Sequence, residues 1–350
     1  MSEERDEAAE KQAEQQIEEH LERGWAALEE GDLQAAETAA RAVATLDDQS
    51  ADAQLLLGSI AQAQGDIDGA MERFQQASEL DPDWAEPLLR AAELHLTEEG
   101  DLDEALHLCE EALDLAEEEE EYLDALLLKA EIEIEADATE EASTTLEELP
   151  DDVTFPHPSY HLQAGSLLRQ VGKLDLGEHH LRLALDEPTL SSDAMHGLAL
   201  IAEERGEHGA MVDWFKKVRL ADLAAAPPPW ALGHERFAEV AEHTLGELPE
   251  NIHKLLDNVP VVVADYPGVE LVDDGLDPRA LGFFAGTPYP DHSSVGGATQ
   301  LQAIHLFQRN IERYAGGADQ VEAEIRTTVL HETGHFFGLS DEELAERGLA

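Results

Sequence analysis

The sequence predicts two domains: an all-α array of helix–turn–helix repeats, then a small α+β domain. Three observations predict this. A short turn recurs every 34 to 36 residues through the first two thirds of the 350-residue chain. The run Ala224-Ala225-Ala226-Pro227-Pro228-Pro229 then interrupts the helical pattern. Beyond it, short β-branched and alternating segments precede a last helix carrying His331-Glu332-Thr333-Gly334-His335-Phe336-Phe337-Gly338-Leu339-Ser340-Asp341, which reads H-E-x-x-H-x-x-G-x-x-D.

The turns are Gly31-Asp32-Leu33, Gly65-Asp66-Ile67, Gly100-Asp101-Leu102, Ala136-Asp137-Ala138, Gly172-Lys173-Leu174 and Gly206-Glu207-His208. A small residue follows five positions after the glycine, at Ala36, Ala70 and Ala105, and in the last repeat Ala210 follows four after Gly206. Upstream lie apolar helical patterns such as Leu55-Leu56-Leu57-Gly58. Downstream lie others, such as Met71, Phe74, Ala77 and Leu80, at the spacing of one helix face. One such hairpin cannot bury its own apolar face, so neighbours must stack to supply the core. The fourth turn lacks glycine and Pro150 to Pro158 is irregular, so a distorted join is expected there. Glu117 to Glu121 reads as a solvated helix face. His179-His180 reads as a surface pair, because adjacent helical side chains point about 100° apart.

Over roughly residues 17–222 these features resemble tetratricopeptide repeats, helical hairpins of about 34 residues. About six are present, and Leu80-Asp81-Pro82 looks like the family's closing element. The resemblance implies a concave groove that takes an extended peptide or helix, and hence a protein partner. The alternative is an array that only scaffolds the domain behind it. Residues 1–16 form an acidic segment ahead of the repeats at 17–223. Residues 224–229 are read as an Ala/Pro linker, since three prolines cannot continue a helix and favour an extended spacer.

Residues 230–350 have a different texture. Trp230 to Thr244 reads as a helix, and a shorter one ends at Leu256. Val259 to Asp265 is β-branched and reads as a strand. Leu281 to Ala285 is a second strand and Thr299 to Phe307 a third, with an edge able to pair with an extended peptide. Asp319 to Phe337 is helical. His331 and His335, four apart, lie on one helix face and can reach one zinc ion at roughly 2.0–2.1 Å. Glu332 stands beside them as a base for an attacking water. Gly338 can end the helix in a left-handed turn, so that the chain doubles back and offers Asp341 as a third ligand.

The segments Leu248-Pro249, Leu256 to Val259, Leu281 to Phe284, Arg326 to Glu332 and Gly338 to Asp341 together resemble small bacterial zincin-like metallopeptidases. The resemblance covers nearly all of residues 230–350. It implies Zn2+ held by His331, His335 and Asp341, with Glu342 and Glu343 as fallback ligands, and Glu332 as the catalytic base of a peptide-bond hydrolase. The sequence departs from the related metzincins in one respect: all four methionines lie at or before Met211, so no methionine-containing turn follows the motif. That favours the alternative of a non-catalytic interaction scaffold. Tyr289, His292 and His305 are of types that can stabilise an oxyanion, but each reads as an ordinary structural or surface residue and none is assigned a role.

The chain carries 79 acidic and 21 basic residues, a net charge of −58. Residues 230–350 hold 21 and 7 of these, so the acidity is concentrated in the repeats but not confined to them. Such a surface repels phosphates and anionic membranes, which excludes nucleic acid and membrane as partners. It fits either a basic partner or a salty cytoplasm. Cys109 is the single cysteine, so no internal disulfide is expected. The first ten residues lack the basic start and apolar run of a signal peptide, and the expectation is a cytoplasmic protein.

Overall fold

The computed structural model describes residues 3–116, 118–150, 155–256, 259–286, 302–345 and 347–348. The chain divides into two compact units, Met1–Ala184 and Leu185–Ala350.

The first unit is five helical hairpins. They are α1 (Glu3–Glu29) with α2 (Leu33–Leu46), α3 (Ala51–Ala63) with α4 (Ile67–Leu80), and α5 (Glu86–Leu94) with α6 (Leu102–Leu115). Then come α7 (Glu119–Glu135) with α8 (Thr139–Thr145), and α9 (Pro158–Gln170) with α10 (Leu174–Ala184). The acidic residues before position 17 are continuous with the first repeat helix, since α1 begins at Glu3. The recurring Gly-Asp closes one helix and opens the next. Gly31 takes φ +76°, its N–H donating to Leu28 O at 3.0 Å and that of Asp32 to Ala27 O at 2.8 Å. This pair of hydrogen bonds satisfies carbonyls that the helix end would leave unpaired. The Asp32 carboxylate then accepts from the Ala35 N–H at 3.0 Å and caps α2, and Asp66 and Asp101 repeat the arrangement. Ala36, Ala70 and Ala105 are fully buried where the paired helices meet.

Two details of the repeat register differ from the sequence reading. In the fourth turn the left-handed residue is Asp137, φ +59°, and not Ala136. Its N–H donates to Ile134 O and that of Ala138 to Glu133 O, as in the glycine turns. A short polar side chain tolerates this conformation better than a methyl group does. The small residue of that repeat is therefore Ala142, which is fully buried. In the last hairpin Ala210 is exposed, and Met211 fills the buried place instead. The third turn absorbs an extra residue through a π-helical turn, His95–Glu99, before Gly100. The expected irregularity after α8 is present: a 3-10 turn, Leu146–Glu148, follows, and Leu149 and Phe155 fill the join against Leu123, Tyr160 and Leu167.

His179 is exposed as expected, but His180 is not a surface residue. Its Nδ1 lies 3.0 Å from His161 Nδ1 on α9, and both rings stack on Phe155. Burial pushes the His180 pKa down to about 4, with His161 and His179 adding to the effect.

The second unit opens with the sixth hairpin, α11 (Ser191–Glu204) and α12 (His208–Ala224). Asp222 of α12 is buried and accepts from Ser192 Oγ at 2.7 Å, Arg279 Nε at 3.1 Å and Arg313 Nη1 at 3.0 Å. Burial alone would raise its pKa, but the two guanidinium groups hold it below the usual carboxylate range. Val272 packs with Met211 and Phe215, so this hairpin shares a core with the residues that follow the prolines.

The remaining elements are α13 (His234–Gly246), α14 (Glu250–Leu256), β1 (Val261–Ala264), α15 (Val269–Asp273), β2 (Gly282–Ala285), β3 (Ala303–Phe307), α16 (Gln308–Ala315), α17 (Val321–Phe336) and α18 (Asp341–Ala345). Helix α13 starts later than the apolar pattern suggests. Buried Glu312 holds residues 230–232 in a non-helical path, accepting from the Leu232 N–H at 2.9 Å while its carbonyl accepts from Trp230 Nε1. The sheet order is β1-β3-β2, with β1 parallel and β2 antiparallel to β3. β3 is therefore central and paired on both sides, which leaves no edge of it for a peptide; among the described residues the outer strands are β1 and β2. Ile304 and Leu306 point from β3 into a core shared with Val321, Ile325, Val329 and Phe336 of α17. Among the described residues no helix is long and apolar enough to cross a membrane.

Candidate metal centre

Helix α17 lies against the sheet and ends at Phe336. Gly338, φ +81°, stops it with the same pair of hydrogen bonds seen in the repeats: Gly338 N–H to His335 O at 2.9 Å and Leu339 N–H to Gly334 O at 3.1 Å. The chain reverses and Ser340 caps α18. The Glu343 N–H points to Ser340 Oγ at 3.3 Å, and the Glu343 carboxylate accepts from the Ser340 N–H at 3.0 Å. This reciprocal pairing is a capping box. Leu344, fully buried, anchors the short helix on α17: a Cβ at Gly334 would lie 2.4 Å from its Cδ2. An interior helical glycine is unfavourable by about 1 kcal/mol relative to alanine. Here it gives Leu344 room, and Leu344 brings the start of α18 back over the two histidines.

The result is a triangle of donors. His331 Nε2 and His335 Nε2 are 2.9 Å apart, and Asp341 Oδ1 lies 3.4 Å from the first and 3.2 Å from the second. Two ligands about 2.0–2.1 Å from a tetrahedral zinc lie roughly 3.3 Å from each other, so these three atoms fit three corners around one ion. His335 Nδ1 lies 3.0 Å from Leu339 O. A proton on Nδ1 that donates there leaves the Nε2 lone pair facing the triangle, the usual second contact of a metal-binding imidazole. Among the described residues this is the one group of three side chains able to hold a metal ion. Of the alternative ligands, Glu343 is engaged in the α18 cap and Glu342 stands outside the group.

Glu332, the next residue after His331, packs on the sheet within reach of the charges of His331 and Asp341. It is 5% exposed. Burial raises its pKa to about 7; the charge of His331 and a hydrogen bond from the Phe284 N–H oppose the rise, and Asp341 adds to it. Its side chain lies along Gly282 of β2. The sequence contained the sign of this contact, a glycine inside a strand, but not its partner. Of the three unassigned residues, Tyr289 and His292 lie outside the described residues. His305 packs against Phe283 on the sheet face opposite Ile304 and Leu306, away from α17.

Residues 256–349 match the family model of the zincin-like metallopeptidases. Residues 27–95 and 96–165 match that of the tetratricopeptide repeat. The chain joins a tetratricopeptide region to a zincin-like metallopeptidase domain. Among solved structures it is similar to PilW, described as a widely conserved type IV pilus biogenesis factor, at 17% identity and a TM-score of 0.50 over 60% of this chain and 94% of that one. PilF of Pseudomonas aeruginosa gives 15% identity and a TM-score of 0.49 over 61% and 95%. A tetratricopeptide repeat protein of Parabacteroides merdae gives 19% and 0.43 over 69% and 97%. At such identities the likeness to PilW concerns the fold alone. No curated protein matches the chain.

Proposed function

We propose that the protein is a zinc-dependent peptidase whose helical repeats recruit a protein substrate or partner in the cytoplasm. The observation that carries this reading is the donor triangle of His331, His335 and Asp341 with Glu332 at the adjoining position of the same helix. Two imidazoles and one carboxylate are a donor set suited to zinc, with a fourth position left for water or substrate. Zinc held there by His331, His335 and Asp341 would supply Lewis-acid chemistry to the scissile carbonyl and to a water. Glu332 takes the proton of the attacking water on its carboxylate and delivers it to the leaving amine. A carboxyl group with a pKa near 7 can do both. His335 is oriented by the Leu339 carbonyl, and Asp341 by the cap and the Leu344 anchor of α18. The acidic repeats favour a basic partner through long-range attraction.

The test is metal analysis and proteolysis together. Protein purified without chelators should hold about one zinc per chain, and Glu332→Gln should keep the metal and lose peptide cleavage. Metal-free wild type would end the proposal. A protein that holds zinc and cleaves nothing in a broad peptide library would instead be an interaction scaffold.

A further inference from the structure

Among the described residues β2 is an outer strand of the sheet, and its pairing with β3 decides what its other edge offers. Phe307 N–H donates to Leu281 O at 2.8 Å, which makes Leu281 and Phe307 a hydrogen-bonded pair. In an antiparallel ladder such pairs alternate, so Phe283 and Ala285 also turn their backbone groups to β3. Gly282 and Phe284 then turn theirs to the open edge. The Phe284 N–H on that edge faces the Glu332 carboxylate and favours its charged form. The Phe284 ring packs edge-on against Phe336 of α17, at 5.7 Å between centroids, so the even-numbered face of β2 lies on the motif helix.

Gly282 is on the same face. A Cβ there would lie 2.7 Å from Glu332 Cγ, 2.7 Å from Oε1 and 2.9 Å from Cδ. These are distances that real Cβ atoms do not adopt. Its φ is outside the left-handed region, so an alanine would suit the backbone. The glycine is needed for space and not for conformation.

We propose that Gly282 is a positioning residue: the empty Cβ place on β2 and the outward Phe284 amide form a seat that fixes the Glu332 carboxylate beside the histidines. This inference rests on the reading of Glu332 as the base, and it adds to that reading the element that aims the base. The seat lies on the strand edge itself. A glutamate on a helix has three rotatable bonds, and most of its rotamers point elsewhere. The glycine cleft removes the obstacle and the amide supplies the fixed end.

The test is a double-mutant cycle in thermal stability, with zinc content and turnover measured on the same proteins. Gly282→Ala should lower Tm by several degrees while Glu332 is present. In a Glu332→Ala background the same change should leave Tm unchanged or raise it, because alanine restricts the unfolded chain. Equal losses of Tm in both backgrounds would overturn the proposal. Zinc per chain should stay at the wild-type level in Gly282→Ala, since no ligand is moved. With fluorescein-labelled casein as the probe, Gly282→Ala should lower kcat at least tenfold and leave KM and metal content in place; an unchanged kcat would also overturn it. If the wild type hydrolyses nothing, the peptidase reading fails, and the Tm cycle still decides whether Gly282 seats Glu332.

Discussion

Two histidine pairs, one in each compact unit, show nearly the same separation. His161 and His180 bring their Nδ1 atoms to 3.0 Å; His331 and His335 bring their Nε2 atoms to 2.9 Å. The first pair joins two helices of a repeat hairpin and lies on the ring of Phe155. The second sits on one helix, has a ring nitrogen beside a backbone carbonyl, and is closed by an aspartate. Among the described residues no third donor completes the first pair. The comparison teaches that a short distance between imidazoles does not make a metal centre. What separates the two is whether the fold returns a carboxylate to them and fixes which nitrogen keeps its lone pair.

The largest expected effect is on zinc itself. His335→Ala should lose the metal that His180→Ala keeps, read by elemental analysis of the purified proteins. Equal zinc in the two variants would erase the distinction between the pairs. Next comes the seat of the third ligand. Leu344→Ala removes a fully buried anchor and should lower stability by about 2–5 kcal/mol. It should also weaken zinc binding roughly 10- to 100-fold, as loss of a supporting contact does. Competition against a chelating dye reads that change, and undiminished affinity would show that α18 does not need its anchor.

Acid separates the pairs in another way. The folded pKa of His180, about 4, lies below its unfolded value near 6.5. Between these values the unfolded chain binds more protons, so this group's stabilising contribution is present above about pH 6.5 and is lost as pH falls to 4. His180→Gln should flatten the fall in Tm across that window relative to wild type, and parallel curves would refute the assignment. The smallest effect belongs to the α18 cap. Ser340→Ala should cost about 1 kcal/mol, seen as a modest drop in Tm with zinc still bound.

The outline of both regions was legible because it rests on local periodicity. The Gly-Asp turns dictate where one helix ends and the next begins, and H-E-x-x-H places two rings on one face whatever surrounds it. Gly338 likewise announces the reversal that returns Asp341. Other features depend on residues far apart in sequence. Helix α16 carries no helical signature in the sequence because Gln308, Asn310 and Glu312 are buried on it, which breaks the apolar stripe that marks a helix. Asn310, for one, is held by the carbonyls of Pro278 and Ala280. The strand order was hidden for a similar reason: alternation identifies Ala303–Phe307 as a strand but not as the middle one. His180 looked like a surface residue because its partner, His161, lies on another helix. Ala136 stands where the repeat spacing predicts a turn glycine, although the torsion requirement falls on Asp137.

The buried Asp222 and its two arginines bear on how this chain can be divided at the bench. A fragment begun at Trp230 strips Arg279 and Arg313 of a shared counter-ion and uncovers Val272, whereas one begun at Leu185 retains all of them. The natural seam for dissection therefore lies ahead of the sixth hairpin, and a zincin-like fragment that precipitates when cut at the prolines would reflect where the knife fell rather than an inability of that half to stand alone.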